Sequence, residues 1–158
     1  MPLQIDIRLA RPEDASSLVE FNRAMARETE DRELALEVLS AGIRAVFENP
    51  RHGFYVVAEA AGQVVGALLV TTEWSDWRNA VFWWIQSVYV EPQQRRRGVY
   101  RRLYAFVKDR AGRQGNVCGL RLYVEKENRV AQQVYTALGM REARYQILEE
   151  LVGRTPIQ

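Results

Sequence analysis

The segment Val88-Tyr89-Val90-Glu91-Pro92-Gln93-Gln94-Arg95-Arg96-Arg97-Gly98-Val99-Tyr100 constrains this chain more than any other, because a strand-like run passes through one short turn directly into a helical pattern. At such a junction the N–H groups of the first helical turn converge. The helix dipole adds partial positive charge, so main chain alone can bind a phosphate there. Gly98 lets the backbone approach closely, and the surrounding arginines offer charge-assisted contacts to the same anion. Between Arg95 and Arg113 stand eight basic residues and one acid, Asp109, although the whole chain carries a net charge of only +2. The local excess of charge, not the net, asks for an anion. An exposed basic helix start without a ligand reads the same way, and local features do not separate the two.

The pattern on either side predicts an α/β (α+β) domain with a mixed, mostly antiparallel sheet flanked by helices. Leu3, Ile5, Ile7 and Leu9 alternate as a first strand. Pro12-Glu13-Asp14 opens a helix with Ala15, Leu18, Val19, Asn22 and Met25 at helical spacing. A second helix is expected over 33–48, its buried stripe Leu36, Leu39, Ile43, Val46 and Phe47, stopped by Asn49-Pro50. Residues 54–60 and 63–72 read as a hairpin about Ala61-Gly62, and 79–90 as a long strand. After the basic turn, Val99, Leu103, Phe106, Val107 and Ala111 mark a helix. A strand over 117–124, a short helix over 128–138 ended by Gly139, and a last strand over 144–151 complete the order βααβββαβαβ.

A chain of 158 residues without repeats, linkers or low-complexity tracts is read as one domain over residues 1–158. The single cysteine, Cys118, excludes an intrachain disulfide, and the single histidine, His52, removes ordinary zinc and Ser/His/Asp arrangements, so metal-free chemistry is expected. Apolar runs too short to span a bilayer and a start without a signal layout point to a cytoplasmic protein with no membrane partner.

A second constellation is Asn128-x-x-Ala131-x-x-x-Tyr135-x-x-x-Gly139. On a helix, Asn128, Ala131 and Tyr135 share one face, while Val130, Val134 and Leu138 form a different, core-facing stripe. Taken alone, Tyr135 also reads as an ordinary half-buried tyrosine. Together with Val90-Glu91-Pro92 and Arg95-Arg96-Arg97-Gly98-Val99-Tyr100, however, this helix resembles the GNAT acetyltransferases over nearly the whole chain. The departure is Tyr100, which stands where that family usually has a small residue.

The resemblance implies acetyl-CoA (coenzyme A) as acyl donor and no metal. It places the cofactor against Val88, Tyr89, Val90, Arg95, Arg96, Arg97, Gly98, Val99, Tyr100, Arg101 and Asn128. The acceptor amine would attack the thioester directly, with Tyr135 protonating the departing thiolate. Reference pKa values of about 10 for a phenol and about 8.5 for a thiol make that transfer feasible as the bond breaks. The backbone of 88–90 would pair with the pantetheine amides and offer an N–H to the developing oxyanion.

The acceptor side is less specific. Gln86 stands where family members often carry a Glu; it cannot act as a base but can orient a water. Glu28, Glu30 and Glu73 are candidate carboxylates, each also readable as a solvated surface group. All four tryptophans fall between residues 74 and 84, so Trp74, Trp77 and Trp84 beside Glu73 form a candidate site for a small cationic amine. Core packing or a homodimer contact would also explain them. A non-catalytic acyl-CoA sensor and a protein or peptide N-acetyltransferase are alternative readings. A nucleic-acid module is disfavoured by the apolar stripe within the basic helix.

Overall fold

The computed structural model describes residues 3–153. They fall into two compact units divided between Leu122 and Tyr123, each described by itself.

The first unit is a five-stranded sheet in the order β1-β2-β3-β4-β5, with β1 Ile5–Leu9, β2 Phe54–Ala60, β3 Gln63–Ser75, β4 Ala80–Val90 and β5 Val117–Leu122. The first four strands run antiparallel and β5 joins β4 in parallel, which requires the crossover supplied by helix α3, Val99–Gln114. The β2–β3 hairpin turns on Ala61 and Gly62, both at positive φ (50° and 76°), the geometry whose twist matches the flanking strands. Helices α1, Ala15–Glu30, and α2, Leu36–Glu48, lie between β1 and β2 in the chain.

Strand alternation sorts the core onto two faces. Leu18, Val19, Phe21 and Ile43 from α1 and α2 pack with Tyr55, Val57, Ala67 and Tyr89 on one face. On the other lie Val56, Leu68, Val70, Trp83 and Ile85, all buried, and α3 buries Val99, Leu103, Tyr104, Val107 and Ala111. The close approach of α3 to the sheet shows at Gly66, where a Cβ would lie 3.3 Å from the Val99 side chain. Between β1 and the start of α1, Arg8 holds buried Asp14 through two hydrogen bonds (2.7 and 3.0 Å) and also binds Glu59. This pins the chain reversal to the sheet.

The second unit contains α4, Arg129–Ala137, whose N-cap is Asn128: its side chain accepts a hydrogen bond from the Ala131 N–H (3.1 Å).

Four expectations are corrected. Helix α2 starts at Leu36 rather than residue 33, because Ala35 takes an extended backbone (φ −65°, ψ 113°), and Leu36 itself is exposed. Strand β5 ends at Leu122, not 124, where its ladder with β4 ends. Val130 and Val134 on α4 are exposed rather than core-facing. Residues 144–151 form no strand: the apolar positions pass from Tyr145 and Ile147 to Leu148, Leu151 and Val152, abandoning the one-sided alternation that a half-buried strand needs.

Candidate active site

Two features of β4 build the site in the first unit. The ladder with β5 ends at the Ile85/Leu122 pair, so β4 continues from Gln86 to Val90 without a β5 partner. Within that stretch a bulge, with Ser87 at φ 51°, places Ser87 and Val88 opposite Leu68 alone and shifts the face on which Tyr89 projects. The strand therefore has an edge beyond Ile85 whose backbone groups have no partner on β5.

Past Val90, the turn at Pro92–Gln94 leads through Arg95, Arg96 and Arg97 to Gly98, the N-cap of α3. Arg96 and Gly98 both take positive φ (62° and 76°), which curls the main chain around the start of the helix. The first helical bond runs from the Arg102 N–H to the Gly98 carbonyl (3.1 Å), so the N–H groups of Val99, Tyr100 and Arg101 lie ahead of the helical ladder. A Cβ on Gly98 would meet nothing within 4 Å, which marks open space over this turn. Curled backbone, leading N–H groups and open space fit a pyrophosphate. Tyr100 packs against Tyr104, one turn along α3, with ring centroids 6.3 Å apart. Its bulk is taken up along the helix.

The three arginines differ in their engagements. Arg95 donates to the Val90 carbonyl (2.8 Å) and to Glu28 (2.7 Å), and its guanidinium lies 5.3 Å from the Tyr89 ring centroid. Arg97 reaches Gln94 at 3.5 Å, and Arg96 and Arg101 are exposed. Glu28 accepts from both Arg95 and the Tyr89 hydroxyl (3.0 Å). Burial pushes the Glu28 carboxyl up, but those two hydrogen bonds together hold it below its usual value. Burial and the same carboxylate push the Tyr89 phenol up. Glu28 is thus ionised and committed, a poor base near neutral pH. Glu30 pairs with Arg32 at the surface.

Farther along the same sheet face, roughly 13 Å from Tyr89 at about 3.3 Å per strand residue, a polar shelf continues beyond the helices. Gln86 donates to Thr71 (2.5 Å), and the Trp84 indole N–H donates to Glu73 (2.8 Å). Arg121 on β5 also binds Glu73 (3.0 Å) and stacks 3.6 Å from the Phe82 ring centroid. Alternation places Thr71, Glu73, Phe82, Trp84 and Gln86 together, with Arg121 opposite Trp84 in the β4–β5 register. The same period separates the tryptophans. Trp83 turns to the α3 face, edge-on to Phe54 at 5.2 Å; Trp74 alternates away from Glu73; Trp77 lies in the exposed turn. Thr71 and Arg121 escaped sequence reasoning; Thr71 had a signal in its spacing of two from Glu73, whereas Arg121 needed the register of a strand far along the chain. Asn128, Ala131 and Tyr135 lie in the second unit, Asn128 at the α4 N-cap and Tyr135, half-buried, within the helix.

A strand that runs off its parallel neighbour and through an open turn into a helix is the frame of this candidate site. Comparison with known proteins assigns the chain a family. The Acetyltransferase (GNAT) family model matches residues 15–140. The chain is 29% identical over 141 residues to an uncharacterized N-acetyltransferase of Bacillus subtilis (strain 168), covering 87% of this chain and 91% of that protein. It superposes on the crystal structure of a possible acetyltransferase from Clostridium difficile 630 with a TM-score of 0.89 and 42% identity, over 95% of this chain and 99% of that one. A predicted acetyltransferase with acetyl-CoA from Clostridium acetobutylicum shares the fold at a TM-score of 0.76 and 18% identity, over 93% and 96% of the two chains. The chain belongs to the GNAT acetyltransferase family, with its mixed five-stranded sheet and four helices. Among the described residues, no helix is long and apolar enough to cross a membrane.

Proposed function

We propose that the chain works as one N-acetyltransferase domain that moves an acetyl group from acetyl-CoA to a primary amine, the acceptor being a small molecule. The observation that carries this reading is β4 leaving β5 at Ile85 and running through the open Gly98 turn into α3. Acetyl-CoA supplies an activated thioester. The backbone of Val88, Tyr89 and Val90 pairs with the pantetheine amides, and an N–H beside the Ser87 bulge faces the carbonyl oxygen as charge develops on it. The N–H groups of 98–101, with Arg96, Arg97 and Arg101, hold the pyrophosphate. Asn128 binds the cofactor through what its cap leaves available, and Tyr135 gives its hydroxyl proton to the thiolate as the C–S bond breaks.

The acceptor amine binds over the shelf of Thr71, Glu73, Trp84 and Gln86. Its lone pair forms the new C–N bond as the C–S bond breaks, and its surplus proton passes through water ordered by Gln86 to the solvent, from which Tyr135 regains the proton it gave. Arg121 already balances Glu73, so the shelf favours an acceptor that brings little net charge near the reacting nitrogen. That is consistent with a small amine taken up in its neutral form.

The test is a thiol-release assay of the purified protein with acetyl-CoA against amines, amino acids, polyamines and peptides. Tyr135→Phe should retain acetyl-CoA binding by calorimetry and lose turnover on the order of 100-fold, the range for a general acid. Unchanged turnover removes Tyr135 from the mechanism, and turnover with peptides alone removes the small-molecule acceptor.

A further inference from the structure

Helix α1 ends on a carboxylate that the helix itself does not favour. Glu28 stands in its last turn, where the dipole is negative and a basic side chain is the stabilising choice. Two donors from the sheet side account for it: the Tyr89 hydroxyl donates to one Glu28 oxygen (3.0 Å) and the Arg95 guanidinium to the other (2.7 Å). Phe21, on the same face of α1, sets its ring 5.2 Å from that of Tyr89. Helix α1 thus holds Tyr89 at both its ring and its hydroxyl.

Arg95 is held from three sides. Besides binding Glu28, its Nε donates to the Val90 carbonyl (2.8 Å), and its guanidinium lies over the Tyr89 ring. Glu28 and Arg95 are both partly exposed, and an exposed ion pair taken singly contributes little. The network changes that weighing, because one carboxylate ties the penultimate residue of β4 to the residue that follows the Pro92–Gln94 turn. Arg96 comes next, at a φ of 62° that a residue other than glycine keeps only where its surroundings hold it. With Arg95 clamped, the chain enters Arg96 and Gly98 on a fixed course; with Arg95 released, Arg96 is free to relax.

We propose that Glu28 is a positioning residue of the cofactor turn, acting through Arg95 and Tyr89 to hold the end of β4 and the course of residues 95–98 in the shape that receives a pyrophosphate. Such a role presupposes that the turn is the acetyl-CoA site, and it gives Glu28 a task on the donor side instead of a base's task toward the acceptor.

Calorimetry and kinetics on the full-length protein test it. Glu28→Ala should raise the acetyl-CoA Kd and KM on the order of tenfold while kcat falls much less, the pattern of lost binding and not of a lost proton carrier. Glu28→Gln keeps an oxygen for one of the two donors and should recover part of the loss. Arg95→Ala should weaken binding at least as much as Glu28→Ala, and the double variant should bind no worse than Arg95→Ala, because both changes remove one coupling. In the free protein, the amides of Gln94 and Arg95, which bond back to Glu91 and Pro92, should exchange hydrogen faster in Glu28→Ala. A loss in kcat alone, equal in Glu28→Ala and Glu28→Gln, would make Glu28 a base and overturn the proposal. So would losses that add in the double variant, or tighter acetyl-CoA binding by Glu28→Ala, which would mean that Glu28 keeps Arg95 away from the phosphates. Unchanged binding in Glu28→Ala overturns it and leaves the cofactor turn standing; a wild type that binds no acetyl-CoA removes the turn as a cofactor site, and this role with it.

Discussion

Gly98 separates two costs that one substitution usually mixes. Its φ of 76° is one that L side chains rarely adopt, yet a Cβ there would touch nothing within 4 Å. Gly98→Ala is therefore expected to cost about 1 kcal/mol in stability from backbone strain alone. Gly98→Asp carries similar strain and also sets a carboxylate where the proposed site would hold the phosphates. Calorimetry should find acetyl-CoA affinity lost by far more than tenfold in the Asp variant; normal affinity there would remove the cofactor from this turn. Asp14 offers a different kind of test. The Arg8 hydrogen bonds lower its carboxyl below 3.8; burial opposes them, and the Arg11 N–H adds to them. A depressed carboxyl stabilises the fold above its unfolded pKa and loses that contribution as pH falls through the folded one. Asp14→Asn should thus cost about 2 kcal/mol near neutral pH, the range for hydrogen bonds to a charged group. The gap to wild type should narrow below about pH 3.8 in urea melts; a gap independent of pH would show that the ion pair is not what Asp14 contributes.

At the scale of elements, α3 joins the sheet to the turn. Leu103 is fully buried at its centre, and Leu103→Ala should destabilise the protein by about 2–5 kcal/mol through transfer and cavity terms. A thermal melt shifted by only a degree or two would mean that the helix repacks. The β4–turn–α3 unit was legible because its signals are local: alternation, Pro92, Gly98 and the stripe of Val99, Leu103 and Val107 lie within one stretch of chain. Long-range partners were not. Arg95 meets Glu28 across 67 residues, and Arg121 meets Glu73 across 48, pairings set by helix docking and strand register. The tryptophans looked like one cluster because sequence proximity hides the period-two alternation that sends Trp83 and Trp84 to opposite faces. Residues 144–151 misled for a related reason: strand-forming composition without a ladder partner does not make a strand.

On the scale of the whole molecule, charge decides between a cofactor turn and a polyanion surface. The net charge is +2, and most of the local excess sits between Arg95 and Arg113. Much of it is already engaged: Arg95 with Glu28, Arg102 with the Ile5 carbonyl, Arg110 over Phe54 and Arg113 with Asp109. What remains near the turn is Arg96, Arg97 and Arg101, beside the leading main-chain N–H groups of α3, which would meet a phosphate at short range. Exposed charges are screened over about 10 Å at 0.1 M salt, while directed N–H contacts at a helix start are screened less. Raising salt from about 50 to 500 mM should therefore weaken acetyl-CoA only several-fold. A surface that bound nucleic acid through the same three arginines would lose about 500-fold over that tenfold salt change, at a slope of about −0.9 per phosphate contact. Measuring both ligands by calorimetry along one salt series distinguishes the two. Acetyl-CoA affinity that collapses with the steepness of a polyanion would show that side-chain charge, and not the Gly98 backbone, holds the ligand.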